Sequence, residues 1–480
     1  MKEINRCYLC YDAECTKVCG VMEPDRILRS LYFDAGHVAR YKLPEDLPCL
    51  TCDGRCGKSC PAELPVQKII SELHRQERPE ESINYDVLKT DFLGIPLENP
   101  FLLSSSVVAS TYDMCARAFE DGWAGACFKT VCLMDIDEAS PRFSAIHGDN
   151  HRIVGFKNIE QLSDHTLVEN IDIFKKLKKN YPDKFLLVSI MGRNDEEWAY
   201  LADVMNDSGA DALELNFSCP NMTAENTGSD VGQIPELVEH YTQIVTAHTK
   251  LPFIAKLTPN VTHIEESADA AIRAGADGVA AINTIKSLIE VDINPKDGII
   301  NASIGGYSGK AVKPVALRFI AELSKDPKLH GKHISAMGGI ETWKDALEFI
   351  VLGADSIQIT TAVMEYGYRI IDDLRDGLAL YLAENGYSSV NEIKRSTIRG
   401  IVSTDELDRS YLIYPKFLRE KCVGCGRCYI SCMDGGHQAI TMKDKKPVLD
   451  ASKCVGCHLC VLVCPSEAIV SSNIKVPKKR

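Results

Sequence analysis

Sixteen of the twenty cysteines in this chain stand in four compact runs, two near each end, and crowding of that kind commits the fold to cross-linking by metal or by disulfide. The C-terminal runs read Cys422-Val-Gly-Cys425-Gly-Arg-Cys428-Tyr-Ile-Ser-Cys432 and Cys454-Val-Gly-Cys457-His-Leu-Cys460-Val-Leu-Val-Cys464-Pro465. This is two-cluster ferredoxin spacing, in which three thiolates of one run bind a four-iron cubane and the fourth crosses to the other. One [4Fe-4S] cluster then takes Cys422, Cys425, Cys428 and Cys464, and the other takes Cys454, Cys457, Cys460 and Cys432.

The N-terminal runs follow a similar logic with less regular gaps: Cys7, Cys10, Cys15 and Cys19, then Cys49, Cys52, Cys56 and Cys60. Pseudo-symmetry predicts a second crossed arrangement, with Cys7, Cys10 and Cys15 joined by Cys60, and Cys49, Cys52 and Cys56 joined by Cys19. Zinc in four-cysteine sites and disulfides are the competing readings for all four runs.

A chain of 480 residues that is 45% hydrophobic and 25% charged can bury a large core and carry smaller modules. Its start, Met1 to Cys7, lacks the apolar stretch of a signal peptide, and no run reaches membrane-spanning length. A cytoplasmic protein is expected, in a compartment that keeps thiols reduced. The net charge of −13 argues against nucleic-acid binding, and the basic tail from Lys475 to Arg480 reads as a frayed, solvated end.

Three domains are predicted. Residues 1–78 form a Cys-rich helical segment, with helices over Asp25–Tyr32 and Leu64–Leu73, and the charged stretch 74–82 reads as a linker. Residues 86–385 change to short apolar, β-branched runs separated by amphipathic stretches, the pattern of parallel strands with helical crossovers. Eight such runs occur: Phe101–Ser105, Gly125–Thr130, Phe185–Met191, Ala212–Ser218, Phe253–Leu257, Gly278–Asn283, Ile334–Met337 and Ser356–Thr360. They predict an α/β fold, a (β/α)8 TIM barrel. A doubly wound sheet is the alternative, but the Gly-x-Gly-x-x-Gly turn it would carry for a dinucleotide is absent. Residues 416–475 form the ferredoxin-like domain.

Active sites of such barrels lie at the C-terminal ends of the strands, and the polar residues there are numerous. Gly338-Gly339 after the seventh run and Thr360-Thr361 after the eighth fit a phosphate. Lys129 and Lys256 end apolar runs, where an ammonium would face the barrel mouth and stabilise negative charge on a reduced flavin or a carbonyl oxygen. Asn194, Asn216 and Asn283 supply paired donors and acceptors for a heterocycle of alternating C=O and N–H groups. Cys219 carries a thiol suited to act as a general acid. Cys115, Cys127 and Cys132 lack ligand spacing and read as small buried hydrophobes.

The motifs Glu214-Leu-Asn-Phe-Ser-Cys-Pro220, Phe253-Ile-Ala-Lys-Leu-Thr-Pro-Asn260, Gly275-Ala-Asp-Gly278 with Asn283-Thr284, Gly305-Gly-Tyr-Ser-Gly309 and Cys422–Cys432 closely resemble the dihydropyrimidine dehydrogenase family, over about residues 86–475. The resemblance is greatest to the catalytic subunit of its two-subunit bacterial NAD-dependent members. It implies an FMN barrel that reduces the C5–C6 double bond of uracil or thymine. Asn194, Asn216, Ser218, Asn283 and Thr284 would hold the pyrimidine, and Cys219 would exchange the C5 proton while FMN N5 exchanges hydride with C6. Ser104, Ser105, Lys129, Lys256, Gly338, Gly339, Thr360 and Thr361 would touch FMN. Electrons would pass through the clusters from a partner, either an FAD- and NAD(P)H-binding subunit or a ferredoxin, in a homo- or hetero-oligomer. Two departures stand out: the N-terminal cysteines directly precede the barrel, and their second run is spaced differently from that of the long-chain members. The rival readings are a dihydroorotate dehydrogenase, whose barrel is related, and an electron-transfer module with the barrel as scaffold.

Overall fold

The computed structural model describes residues 2–222, 227–289, 291 and 303–478. It divides into two compact units, Met1–Arg399 and Gly400–Arg480.

The first unit is built on a closed eight-stranded parallel barrel. Its strands are β1 (Phe101–Leu103), β2 (Gly125–Val131), β3 (Phe185–Ile190), β4 (Ala212–Asn216), β5 (Phe253–Lys256), β6 (Gly278–Ala281), β7 (His333–Ala336) and β8 (Ser356–Ile359). Each pairs with the next in sequence, and β8 closes on β1 through Ile357–Phe101 and Ile359–Leu103. Every predicted run is therefore a barrel strand, ending one or two residues earlier than expected in most cases. These strands are buried on both faces, packed inside by one another's side chains and outside by the helical ring, which is why they read as continuous apolar runs. A four-stranded antiparallel sheet, in the order Ile285–Ser287, Gly305–Ser308, Ile153–Asn158 and Phe143–His147, is inserted among the βα connections.

Residues 2–78 fold as short helices, including Pro24–Tyr32, Gly36–Tyr41 and Val66–His74. They have a small core of their own around Leu28, Leu64, Val66 and Ile70. They are not a detached module, because Phe33, Ala35 and Val38 belong to the same core as the barrel helices. A charged seam on helix Ile370–Glu384 reinforces the contact. Arg29 bridges Asp372 at 3.0 Å and Asp373 at 2.6 Å, and Lys42 reaches Asp376 at 2.7 Å. Burial pushes the Asp373 carboxyl up to about 6 in spite of Arg29 and Lys42.

The second unit pairs Tyr411–Phe417 with Ile469–Pro477 and Ile440–Lys443 with Lys446–Leu449, and adds helices Arg427–Gly435 and Leu459–Leu462. The tail departs from expectation. Lys475–Pro477 are ladder residues, with Lys475 opposite Ile413 and its ammonium over the Tyr411 ring at 4.2 Å, so strand pairing holds what charge alone marked as loose. Lys479 and Arg480 lie outside the described residues. Among the described residues no helix is long and apolar enough to cross a membrane.

Candidate active site

The C-terminal ends of the barrel strands converge on one cavity of about 1090 Å³, its open mouth included. Ser104, Ser105, Lys129, Asn216, Cys219, Lys256, Asn283, Thr284, Gly338, Gly339, Thr360 and Thr361 all line it. Residues spread over more than 250 positions are thus brought together because parallel strands all end on the same side.

Asn216 closes β4 and sits 5% exposed, donating to Thr130 Oγ1 at 2.9 Å and accepting from the Ser218 hydroxyl at 2.8 Å. Asn283 Nδ2 donates to Ser218 Oγ at 2.9 Å. Ser218 is fully buried and acts behind the wall, tying the two amides together. Thr284 is kept in place by Gly306, where a Cβ would meet Thr284 Oγ1 at 2.1 Å. Gly338 and Gly339 have φ of +125° and +76°, and a Cβ on Gly339 would meet Lys313 N at 2.8 Å, so only glycine lets this turn pass so close to the preceding helix, Lys313–Lys325. Beside it, the Thr360 and Thr361 hydroxyls bond Ser106 at 2.9 Å and Ser308 at 3.0 Å.

Asn194 is the exception. It lies outside the cavity, exposed, and its side chain accepts from Glu197 N at 3.0 Å as the N-cap of helix Asp195–Met205. β3 stops at Ile190, and four further residues carry the chain away from the mouth before the helix begins. Its place among the amides is taken by Asn158 and Asn221, both in the lining. Asn221 Nδ2 donates to Glu160 O at 2.8 Å and to Asn158 Oδ1 at 3.2 Å. Asn158 and Glu160 come from the end of the inserted antiparallel sheet, where nothing in the local pattern marks a barrel mouth.

The two lysines are buried ion pairs. Lys129 Nζ donates to Glu160 Oε2 at 2.8 Å, lies 3.7 Å from Glu138, and shares Glu160 with Arg142 at 2.7 Å. Lys256 Nζ donates to Glu214 Oε1 at 3.2 Å, and Gln358 Nε2 donates to the other oxygen of the same carboxylate, also at 3.2 Å. Glu214 is fully buried beneath the cavity. Gln358 lines the cavity, and its buried Oε1 has no partner among the described residues, an acceptor left for an N–H of a bound ring. An amide-bearing mouth with two ion-paired lysines, a glycine turn and paired threonines at the ends of β7 and β8 fits a flavin mononucleotide.

Cys219 is 6% exposed, and burial pushes its thiol up to about 11, partly offset by the backbone N–H of Asn221. It is a neutral thiol at physiological pH. Cys115, Cys127 and Cys132 are buried and do not line the cavity.

The clustered cysteines also gather around cavities. Cys422, Cys425, Cys428 and Cys464 line one, and Cys432, Cys454, Cys457 and Cys460 line another. In the first unit Cys7, Cys10, Cys15 and Cys60 surround a third. Cys49 lies near Cys52, Cys56 and Cys19.

A parallel barrel whose strand ends gather these residues at one cavity, in a chain that also bears ferredoxin-spaced thiols, defines a class of flavin and iron–sulfur oxidoreductase. Residues 87–382 match the dihydroorotate dehydrogenase family model and residues 417–471 the 4Fe-4S dicluster domain, and the chain belongs to that dehydrogenase family. It is 50% identical over 397 residues to the NAD-dependent dihydropyrimidine dehydrogenase subunit PreA of Escherichia coli, covering 82% of this chain and 97% of that one. It is 35% identical over 330 residues to the chloroplastic dihydropyrimidine dehydrogenase (NADP(+)) of Arabidopsis thaliana, covering 65% and 78%. It is 40% identical over 311 residues to the catalytic subunit of dihydroorotate dehydrogenase B (NAD(+)) of Pyrococcus abyssi, covering 64% and 98%.

Proposed function

We propose that this chain is the catalytic subunit of a dihydropyrimidine dehydrogenase, interconverting uracil or thymine with the 5,6-dihydro form. The observation that carries the reading is the neutral Cys219 thiol in one cavity with Asn158, Asn216, Asn221 and Asn283. The amides hold an uncharged ring of alternating C=O and N–H groups, Ser218 locks two of them, and Thr284 adds a hydroxyl. Cys219 Sγ–H gives its proton to C5 in reduction and takes it back in oxidation, a step worth about 10²–10⁴ in rate. FMN, when bound, supplies the hydride chemistry at C6. Ser104, Ser105, Lys129, Lys256, Gly338, Gly339, Thr360 and Thr361 would hold it, with the glycine turn and threonines at its phosphate.

Charge separates this reading from dihydroorotate dehydrogenase. Orotate brings a carboxylate, and the lysines that line the cavity are committed: Lys129 to Glu160 and Glu138, Lys256 to Glu214. A neutral pyrimidine needs no such partner. The cysteine groupings support four [4Fe-4S] clusters, two in each terminal region, fed by an FAD- and NAD(P)H-binding partner subunit or a ferredoxin. Anaerobic purification with partners retained, followed by flavin, iron and sulfide analysis and parallel turnover of uracil and orotate, tests the whole reading. Turnover of orotate in preference to uracil sinks it.

A further inference from the structure

The cavity ringed by Cys7, Cys10, Cys15 and Cys60 has one wall that comes from the barrel. Arg369 lines it and donates to the carbonyl oxygens of Leu9 at 2.5 Å and Cys10 at 3.4 Å. Arg369 lies just past helix Thr361–Tyr366, and Thr361, Ala362 and Met364 of that helix line the flavin cavity. One short segment therefore separates the two cavities, with Met364 facing one and Arg369 facing the other. Consecutive Cα atoms are 3.8 Å apart, so these two lie at most about 19 Å apart, and less because part of the segment is coiled.

The wall is packed solid. Tyr366 meets Phe33 and Tyr32 of the N-terminal segment edge to face, with ring centroids 5.0 and 6.0 Å apart. A second strut runs from Glu341, in the flavin cavity lining, through Arg152 at 3.2 Å to the face of Tyr32 at 5.0 Å. The other thiol set differs in that its Cys52 is exposed, whereas Cys7, Cys10, Cys15 and Cys60 are all buried or half-buried. The two sets are not equivalent: one is set against the barrel, the other is open to a donor.

We propose that the N-terminal segment delivers electrons directly to the flavin cavity of its own chain through the wall Thr361–Arg369, without passing through Gly400–Arg480. Cys19, Cys49, Cys52 and Cys56 form the outer station, and Cys7, Cys10, Cys15 and Cys60 the inner one. This rests on the reading that these thiols hold four-iron clusters. Electrons balance: each reduced cluster gives up one electron, the two together match the two that an oxidised flavin accepts, and solvent supplies the protons.

The test uses the full-length chain with Cys425→Ser and Cys457→Ser, loaded anaerobically with iron, sulfide and FMN and given a substoichiometric pulse of dithionite without pyrimidine. About eight iron per chain should remain, the content of two four-iron clusters. Flavin bleaching should then contain a first-order phase independent of enzyme concentration, accompanied by recovery of cluster absorbance. Adding Cys10→Ser and Cys60→Ser should slow that phase at least tenfold. Should this last variant not fold, Arg369→Ala, which keeps every thiol, should slow it several-fold at unchanged iron content. Loss of all iron in the first variant overturns the cluster reading itself. Iron retained with bleaching that depends only on enzyme concentration, or a phase untouched by Arg369→Ala, overturns the direct route and leaves the cluster reading standing.

Discussion

Replacing Cys219 by alanine isolates the proton half of the reaction from everything else in the cavity. Only one sulfur is removed from a site already 6% exposed, so the fold and flavin content should survive, with a stability loss of about 1 kcal/mol. The chemical step should slow by about 10²–10⁴-fold, which at 1.36 kcal/mol per tenfold is about 2.7–5.4 kcal/mol of barrier. The pH profile gives a sharper signature. Burial raises the folded thiol to about 11, above the value of about 8.5 for a free cysteine. The proton donor is therefore present throughout the neutral range, and pyrimidine reduction should be flat with respect to this group until pH approaches 11. Oxidation of the dihydropyrimidine needs the thiolate, so its rate should climb about tenfold per pH unit below that value. Linkage has the same sign: the stability owed to the buried neutral thiol is whole below about 8.5 and is lost as pH rises through about 11. Single-turnover flavin absorbance in both directions, from pH 6 to 10, measures this. A Cys219→Ala enzyme within threefold of the parent, or a parental oxidation rate that is flat with pH, would refute the assignment.

Glu214→Gln leaves the Lys256 ammonium buried without its counter-charge, and denaturant unfolding should show a loss of about 3–5 kcal/mol; an unchanged midpoint would mean the pair is dispensable. Glu160→Gln removes the nearer carboxylate from Lys129 and leaves it only Glu138 at 3.7 Å, so orotate, measured by flavin difference titration, should bind at least fivefold tighter. Asn194→Ala should cost about 1 kcal/mol as a lost helix cap and leave the KM for uracil within twofold; a large rise in KM would return Asn194 to the substrate site.

The eight barrel strands were legible because strands buried on both faces must be apolar along their whole length, and three of the four thiols at each cysteine cavity because they stand close together in one run. Residues ending those strands, such as Asn216, Lys256 and Asn283, inherit their place from the strand itself. Asn158 and Glu160 do not, since an inserted antiparallel sheet carries them to the mouth and no local period announces where a sheet will lie. Asn194 failed for the converse reason: it follows a strand closely in sequence, but the backbone turns away and uses its amide to satisfy a helix N-terminus. Pairing is equally silent in the chain order. That Lys129 is held by Glu160 and Lys256 by Glu214, that burial raises Cys219, and that Phe33 joins the barrel core are all outcomes of packing between segments distant in sequence. Short-range rules fix which elements form; only the closing of the barrel decides which charges meet, because that depends on distances no local pattern encodes.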